Sequence, residues 1–333
     1  MKTRSQMSRT YKLSAIYFIS ISWVVAVRIL MNFLQLSDNW SSWLFTLLVQ
    51  VVGLGLIPML LYKQWIKGDI IAGFHLKVKT NPVNYLIAIA IGFLLYYVTT
   101  GISIIYQTVL IFLGFTHVST APGTIFSGPE VLILEFLTVA VLPAIFEELT
   151  NRGLLLSVFE KEENDNKVIV IMAVIFALFH QNIVQTGYTF IGGLVFAFLA
   201  IKTKSIVPGI IIHFINNGLS VLFSYAEQKG LALAMYRSMI FNMNIFLLFG
   251  TWITAGFIIF WLLKVVKKIN GKVVYSEPQA STLNNDRLYS LFGFAPAKPA
   301  EKKPAISDYG WIIAACTLSF ALTVFTFMWG LWR

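Results

Sequence analysis

Residues 131–159 read VLILEFLTVAVLPAIFEELTNRGLLLSVF, an apolar run that carries Glu147, Glu148 and Arg152 in its second half. About 20 consecutive apolar residues suffice to span the hydrocarbon core of a membrane as a helix. Ionisable side chains are costly inside such a run and usually have a function. The stretch is therefore predicted to be a transmembrane helix with functional polar residues.

The rest of the chain shares this composition. Of its 333 residues, 57% are hydrophobic and 12% are charged, whereas soluble domains carry about 25% charged residues. The apolar runs lack the alternation expected of barrel strands. The predicted fold class is all-α, a polytopic transmembrane helical bundle. The only cysteine, Cys316, lies in an apolar run, so no intrachain disulfide is expected.

About eight to nine spans are expected, and nine candidate runs can be drawn. They cover residues 13–34, 42–62, 84–113, 131–159, 167–185, 187–201, 206–225, 239–263 and 310–332. The run 187–201 is short and could be re-entrant.

Basic residues between the runs predict the orientation. The net charge is +10, and lysines concentrate in the N-terminal tail, in 63–83 and in 264–308, whereas 35–41 and 114–130 contain no Lys or Arg. Connections rich in Lys and Arg stay on the cytoplasmic side. We therefore expect a cytoplasmic N-terminus and, with nine spans, an outer C-terminus. Since the basic residues lie at membrane boundaries, we expect no nucleic-acid partner.

Polar residues recur in three of the runs, and their spacing predicts which of them share a helix face. Glu148 and Arg152 lie four residues apart and can pair, whereas Glu147 is rotated by about 100° from Glu148 and is left outside that pair. The other two sets also have i, i+4 spacing, so that each shares one helix face. They are Phe176 with His180 and His213 with Asn217.

Helix depth places these groups in one layer. At 1.5 Å per residue, Glu147, His180 and Asn217 lie about 18–20 Å from the inner ends of their helices, and His213 about 12 Å. A carboxylate and an imidazole can activate water, and a second imidazole with an amide can stabilise an oxyanion. This set suits amide hydrolysis, and no G-x-S-x-G motif predicts a serine nucleophile.

The three motifs, Glu147-Glu148 with Arg152, Phe176 with His180, and His213 with Asn217, resemble those of the CPBP intramembrane proteases. This group contains CAAX prenyl endopeptidases of the second type and bacteriocin-processing or bacteriocin-immunity (Abi) proteins. The resemblance implies a glutamate-dependent peptidase in which Glu147 and His180 activate the water. It implies that His213 and Asn217 form the oxyanion hole and that Glu148, Arg152 and Phe176 are structural.

The resemblance covers 130–225, which is interpreted as the catalytic core. The remaining parts are 1–129, with the first helices; 226–263, with a further helix; 264–308, a cytoplasmic linker containing Pro and Lys; and 309–333, a C-terminal helix. The expected substrate is a membrane-associated peptide or protein, and 264–333 could contact partner membrane proteins. The layout favours a multi-pass protein of a bacterial cytoplasmic membrane.

Three alternatives stay open. Glu147, His180 and His213 form a set that binds zinc in hydrolases, although no H-E-x-x-H motif is present, so a metal-free site without cofactor is favoured. A non-proteolytic scaffold or immunity protein would act through partner contacts. An ion-coupled transporter would also use midplane carboxylates and histidines, but no internal repeat is visible.

Overall fold

The computed structural model describes residues 8–34, 39–76, 80–116, 124–159, 162, 164–271 and 304–331. These residues form helices and connecting turns, with no strand among them. The ten longer helices are α1 (Arg9–Phe33), α2 (Asn39–Ile66), α3 (Pro82–Phe112), α4 (Pro129–Val158), α5 (Asp165–Phe179), α6 (Ile183–Thr203), α7 (Val207–Lys229), α8 (Ala232–Phe241), α9 (Ile245–Gly271) and α10 (Gly310–Leu331). Single turns at Ile70–Gly73 and Ile306–Tyr309 precede α3 and α10.

Eight helices of the described residues are long and apolar enough to cross a membrane, and they confirm the polytopic helical bundle. All the longer helices except α5 and α8 belong to this set. The shortest transmembrane run was expected at 187–201, but α6 is 21 residues long and α5 has only 15. Fifteen residues extend about 22 Å, less than a hydrocarbon core of about 30 Å, so α5 ends within the bundle.

Helices α5 and α6 form a tightly packed hairpin. A Cβ on Gly193 of α6 would lie 2.9 Å from the Cα of Ala173 of α5, so only glycine permits this approach. The chain reverses at Gln181, whose φ of 51° is left-handed, and the Asn182 side chain caps α6 by accepting from the amide of Val184. This reversal places His180 inside the protein.

A side-chain hydrogen bond near Pro58 joins α4 to α2. Pro58 lies four residues after Leu54, whose carbonyl accepts from the Thr150 hydroxyl at 2.6 Å. The two bonded segments are locally π-helical, over Leu47–Leu56 in α2 and over Leu149–Leu155 in α4, and α4 has a second π-helical segment at Phe136–Val141.

The ends of the helices that carry most lysines lie on one side of the bundle. The start of α1 contacts the start of α10 through a hydrogen bond of 2.7 Å from Ser8 to Asp308, and the start of α3 contacts the end of α9 through Asn84 and Asn270. Lys202 at the end of α6 pairs with Asp165 at the start of α5. We call this side the basic side; its assignment to the cytoplasm stays a prediction.

The C-terminal parts differ from the predicted boundaries in one respect. Helix α9 continues to Gly271, so the first residues of the predicted linker 264–308 are helical, and residues 272–303 of that linker lie outside the described residues. The predicted C-terminal helix is present as α10, which packs along α1 through contacts such as Phe18 with Trp311. Its role in binding partners stays a prediction.

Candidate active site

Glu147 lies at the centre of a polar cluster between α2, α4, α5 and α7. Its side chain is buried, and its Oε1 accepts a hydrogen bond of 2.8 Å from the Gln50 amide. Its Oε2 lies 4.0 Å from Nε2 of His180 and 3.9 Å from Nε2 of His213. These gaps are too long for direct hydrogen bonds, but a water molecule bonded to both sides fits such a separation.

His180 is held at the end of α5 by two contacts. Its Nδ1 donates to the carbonyl of Phe176 at 2.8 Å, because a carbonyl can only accept. In the neutral ring Nε2 is then unprotonated, and it faces Glu147. The Phe176 ring packs edge-on against the imidazole with centroids 4.8 Å apart, as the i, i+4 spacing predicted.

His213 reaches the cluster from α7 and is oriented by a second carboxylate. Its Nδ1 lies 3.2 Å from Oε1 of Glu148, and its ring stacks on Phe196. An ionised carboxylate only accepts, so Nδ1 carries a hydrogen and Nε2 points to Glu147. The Glu148–Arg152 pair was interpreted as structural, but Glu148 also sets the orientation of the His213 ring.

Arg152 is completely buried and neutralises Glu148 through an N–O contact of 2.8 Å. Its guanidinium also lies over the ring of Phe176, 4.0 Å from the centroid, which is a favourable cation–π geometry. With Arg152 positive, Glu147 and Glu148 negative and both imidazoles neutral, the cluster carries one net negative charge.

Asn217 lies one turn beyond His213 and is engaged elsewhere. Its side-chain amide donates to the carbonyl of Val139 at 2.9 Å. Val139 lies in the π-helical segment Phe136–Val141, just before Pro143, so Asn217 binds α4 where its helical geometry is irregular. The structure therefore brings Glu147, His180 and His213 together, whereas the described contact of Asn217 joins α7 to α4.

Two further polar residues contact this region from α1 and α2. Gln50 was missed from the sequence, although a lone amide within the predicted span 42–62 is itself a signal. Arg28 of α1 donates to the backbone carbonyl of His180 at 3.1 Å. That bond satisfies a carbonyl at the C-terminal end of α5, where intrahelical donors are missing.

Two further polar residues lie away from the cluster. Glu135 is buried and accepts from Trp43 at 3.1 Å and from Thr124 at 2.6 Å. The ring of His75 lies 3.2 Å from the Ser157 hydroxyl, and its carbonyl accepts from Ile206.

The chemistry of the cluster allows a test of the zinc alternative. Two unprotonated Nε2 atoms and a carboxylate oxygen are ligands that zinc prefers. In a tetrahedral site with ligands at about 2.05 Å, neighbouring ligand atoms lie roughly 3.3 Å apart. The Glu147 oxygen lies 3.9 and 4.0 Å from the two nitrogens, so the cluster would have to contract to hold zinc. Within the described ranges, no group of three His, Cys, Asp or Glu residues has metal-binding geometry.

Comparison with known proteins identifies the same part of the chain. Residues 129–219 match the family model for type II CAAX prenyl endopeptidases, Rce1-like, which is consistent with the CPBP family. The match includes both catalytic histidine candidates and the Glu147-Glu148 pair, and it supports a membrane protease of the CAAX type. Gln50 and Arg28 lie outside the matched stretch. No curated protein and no solved structure gives a significant match.

Proposed function

We propose, from the match of residues 129–219 to the type II CAAX prenyl endopeptidases and from the geometry around Glu147, that the chain is an intramembrane endopeptidase. It hydrolyses a peptide bond of a membrane-associated peptide or protein. One observation supports this proposal above the others: a single carboxylate oxygen lies 4.0 and 3.9 Å from two imidazole nitrogens contributed by two other helices.

In the proposed reaction, a water molecule lies between Oε2 of Glu147 and Nε2 of His180. Glu147 takes a proton from this water, whose oxygen attacks the carbonyl carbon of the peptide bond. The C–N bond then breaks, and the proton passes to the departing amine. His180 accepts a hydrogen bond from the water through its unprotonated Nε2, and so orients it.

His213 is proposed to stabilise the oxyanion of the tetrahedral intermediate. With Nδ1–H directed to Glu148, the ring can donate from Nε2 only when it is an imidazolium. The proposed role therefore requires His213 to carry a second ring proton when the intermediate forms. Asn217 is the second proposed donor, because one of its two N–H groups is not needed for the bond to Val139.

The substrate is proposed to be a peptide or membrane protein of a bacterial cytoplasmic membrane. Its scissile bond must reach the level of Glu147, which lies near the middle of the sequence of α4. The zinc-dependent form of the same reaction would use Glu147, His180 and His213 as ligands after contraction of the cluster. A chelator distinguishes the two forms of the reaction, because only the zinc-dependent form would lose cleavage when the metal is removed.

The test is cleavage of a membrane-anchored reporter peptide by purified protein in liposomes. We expect Glu147→Gln and His180→Ala each to lower turnover by about 10²- to 10⁴-fold, since the first removes the general base and the second removes the group that orients its water. Glu130→Gln is the matched control, because Glu130 lies exposed in the first turn of the same helix. Retained cleavage in either variant would contradict the mechanism, and loss with a chelator would establish the zinc form.

A further inference from the structure

A cleft of about 560 Å³ lies on the basic side of the bundle, apart from the active-site cluster. It forms where the start of α1, the end of α2 and the start of α10 meet. The three helix ends come from parts of the chain far apart in sequence, and α10 lies outside the stretch that matches the family model. The proposed peptidase reaction does not use this cleft.

The lining changes from polar to apolar along α1. Lys12 lies near the helix start, and Ala15, Phe18 and Ile19 follow it towards the bilayer interior. From Lys12 to Ile19 the helix rises about 10 Å, which matches the first part of an acyl chain that descends from a headgroup. An amphiphilic molecule that lies parallel to the lipids would therefore place its polar headgroup near Lys12 and its apolar chain along Ala15, Phe18 and Ile19.

The rim of the cleft is positively charged and held in place. Among the described residues that line it are two lysines, Lys12 and Lys67, and no carboxylate. The Lys12 ammonium donates to the backbone carbonyl of Trp65 at 3.1 Å, which fixes its position and leaves two N–H donors for a ligand. Trp65 and Trp311 also line the cleft, and tryptophan is typical of the headgroup level.

We propose that this cleft binds an anionic glycerophospholipid of the surrounding leaflet. Lys12 and Lys67 bind its phosphate, and one acyl chain lies along Ala15, Phe18 and Ile19. The bound lipid bridges α1, α2 and α10, and so attaches the C-terminal helix to the rest of the bundle. Charge complementarity and the order of polar and apolar surfaces both favour a lipid over a soluble anion.

The experiment is native mass spectrometry of the full chain released from detergent micelles that contain phosphatidylcholine with a minor fraction of phosphatidylglycerol. We expect one retained phosphatidylglycerol. Each lysine near a membrane surface contributes about a fivefold factor in affinity, so Lys12→Gln with Lys67→Gln should weaken retention roughly 25-fold. The charge-matched control is Lys264→Gln with Lys267→Gln, on the same side but outside the cleft.

Two further measurements distinguish binding of the whole lipid from binding of its phosphate group alone. Ile19→Trp places a bulky side chain on the apolar wall, and it should reduce lipid retention while both lysines remain. Inorganic phosphate in excess should not displace the lipid. The proposal is overturned if the double lysine variant retains as much phosphatidylglycerol as its control, if Ile19→Trp has no effect, or if phosphate alone competes. A melting temperature in pure phosphatidylcholine confirms that each variant is folded.

Discussion

Replacing Gln50 by leucine tests the contact that connects the N-terminal helices to the active site. The Gln50 amide donates to Oε1 of Glu147 at 2.8 Å in a buried environment. A hydrogen bond to a charged group contributes about 1.5–3 kcal/mol. If that energy holds the Glu147 carboxylate in position for the water, its loss should lower turnover by about 10- to 150-fold, at 1.36 kcal/mol per factor of ten.

Folding should change little in the same variant. The Gln50 Oε1 is buried and has no hydrogen-bond partner among the described residues, so leucine removes an unsatisfied acceptor together with the donor. The same change leaves Oε1 of Glu147 without its donor; since each unsatisfied buried polar atom costs about 1–3 kcal/mol, the two effects roughly offset one another. A thermal melt in detergent should therefore show at most a small shift.

The assay is reporter-peptide cleavage in liposomes, with kcat and KM measured separately. We expect kcat to fall while KM stays close to its original value, since Gln50 contacts the base and not the substrate. Gln107→Leu is the matched control, because Gln107 is an amide within α3 that donates to Ser103 at 2.7 Å. A Gln50→Leu enzyme with the turnover of this control would refute the reasoning.

Three further predictions concern the helices that support the site. Arg28→Gln removes the donor to the His180 carbonyl, and cleavage should fall about tenfold without loss of folding, as measured by kcat beside a melt. Arg152→Leu leaves Glu148 buried without its partner and should cost roughly 3–5 kcal/mol in a detergent unfolding titration, whereas the double variant with Glu148→Leu should cost less. Gly193→Val forces α5 away from α6 and should destabilise by about 1–3 kcal/mol; an unchanged unfolding midpoint would contradict the packing.

The helical fold and the grouping of the motif residues were accessible from sequence because both depend on short-range patterns. Apolar runs predict membrane helices through their length alone. The i, i+4 spacing predicted the pairing of Glu148 with Arg152 and the contact of Phe176 with His180, because residues four apart face the same side of a helix. The proximity of Glu147 and His180 could be predicted because the two residues lie at similar depths in the membrane, although their helices run in opposite directions.

Contacts between distant helices could not be predicted in the same way. Pro58 and Pro143 indicate where the helical hydrogen bonds of α2 and α4 are interrupted, but nothing local shows that Thr150 and Asn217 donate to the nearby carbonyls of Leu54 and Val139. The sequence also predicts the end of the fifth helix too far along the chain, at residue 185. Apolar residues continue through 183–203, whereas the reversal of the chain direction depends on the left-handed backbone of Gln181. Arg28 and Gln50 became part of the site only through tertiary packing.

The most direct test of the account compares Glu147→Gln, His180→Ala and the variant with both changes in one cleavage assay. Groups that activate one water act as a unit, so their effects on kcat are strongly non-additive. We predict that the double variant is about as slow as the slower single variant. A double variant slower by the product of the two single effects would show that Glu147 and His180 act independently, and it would contradict the shared water-activating centre.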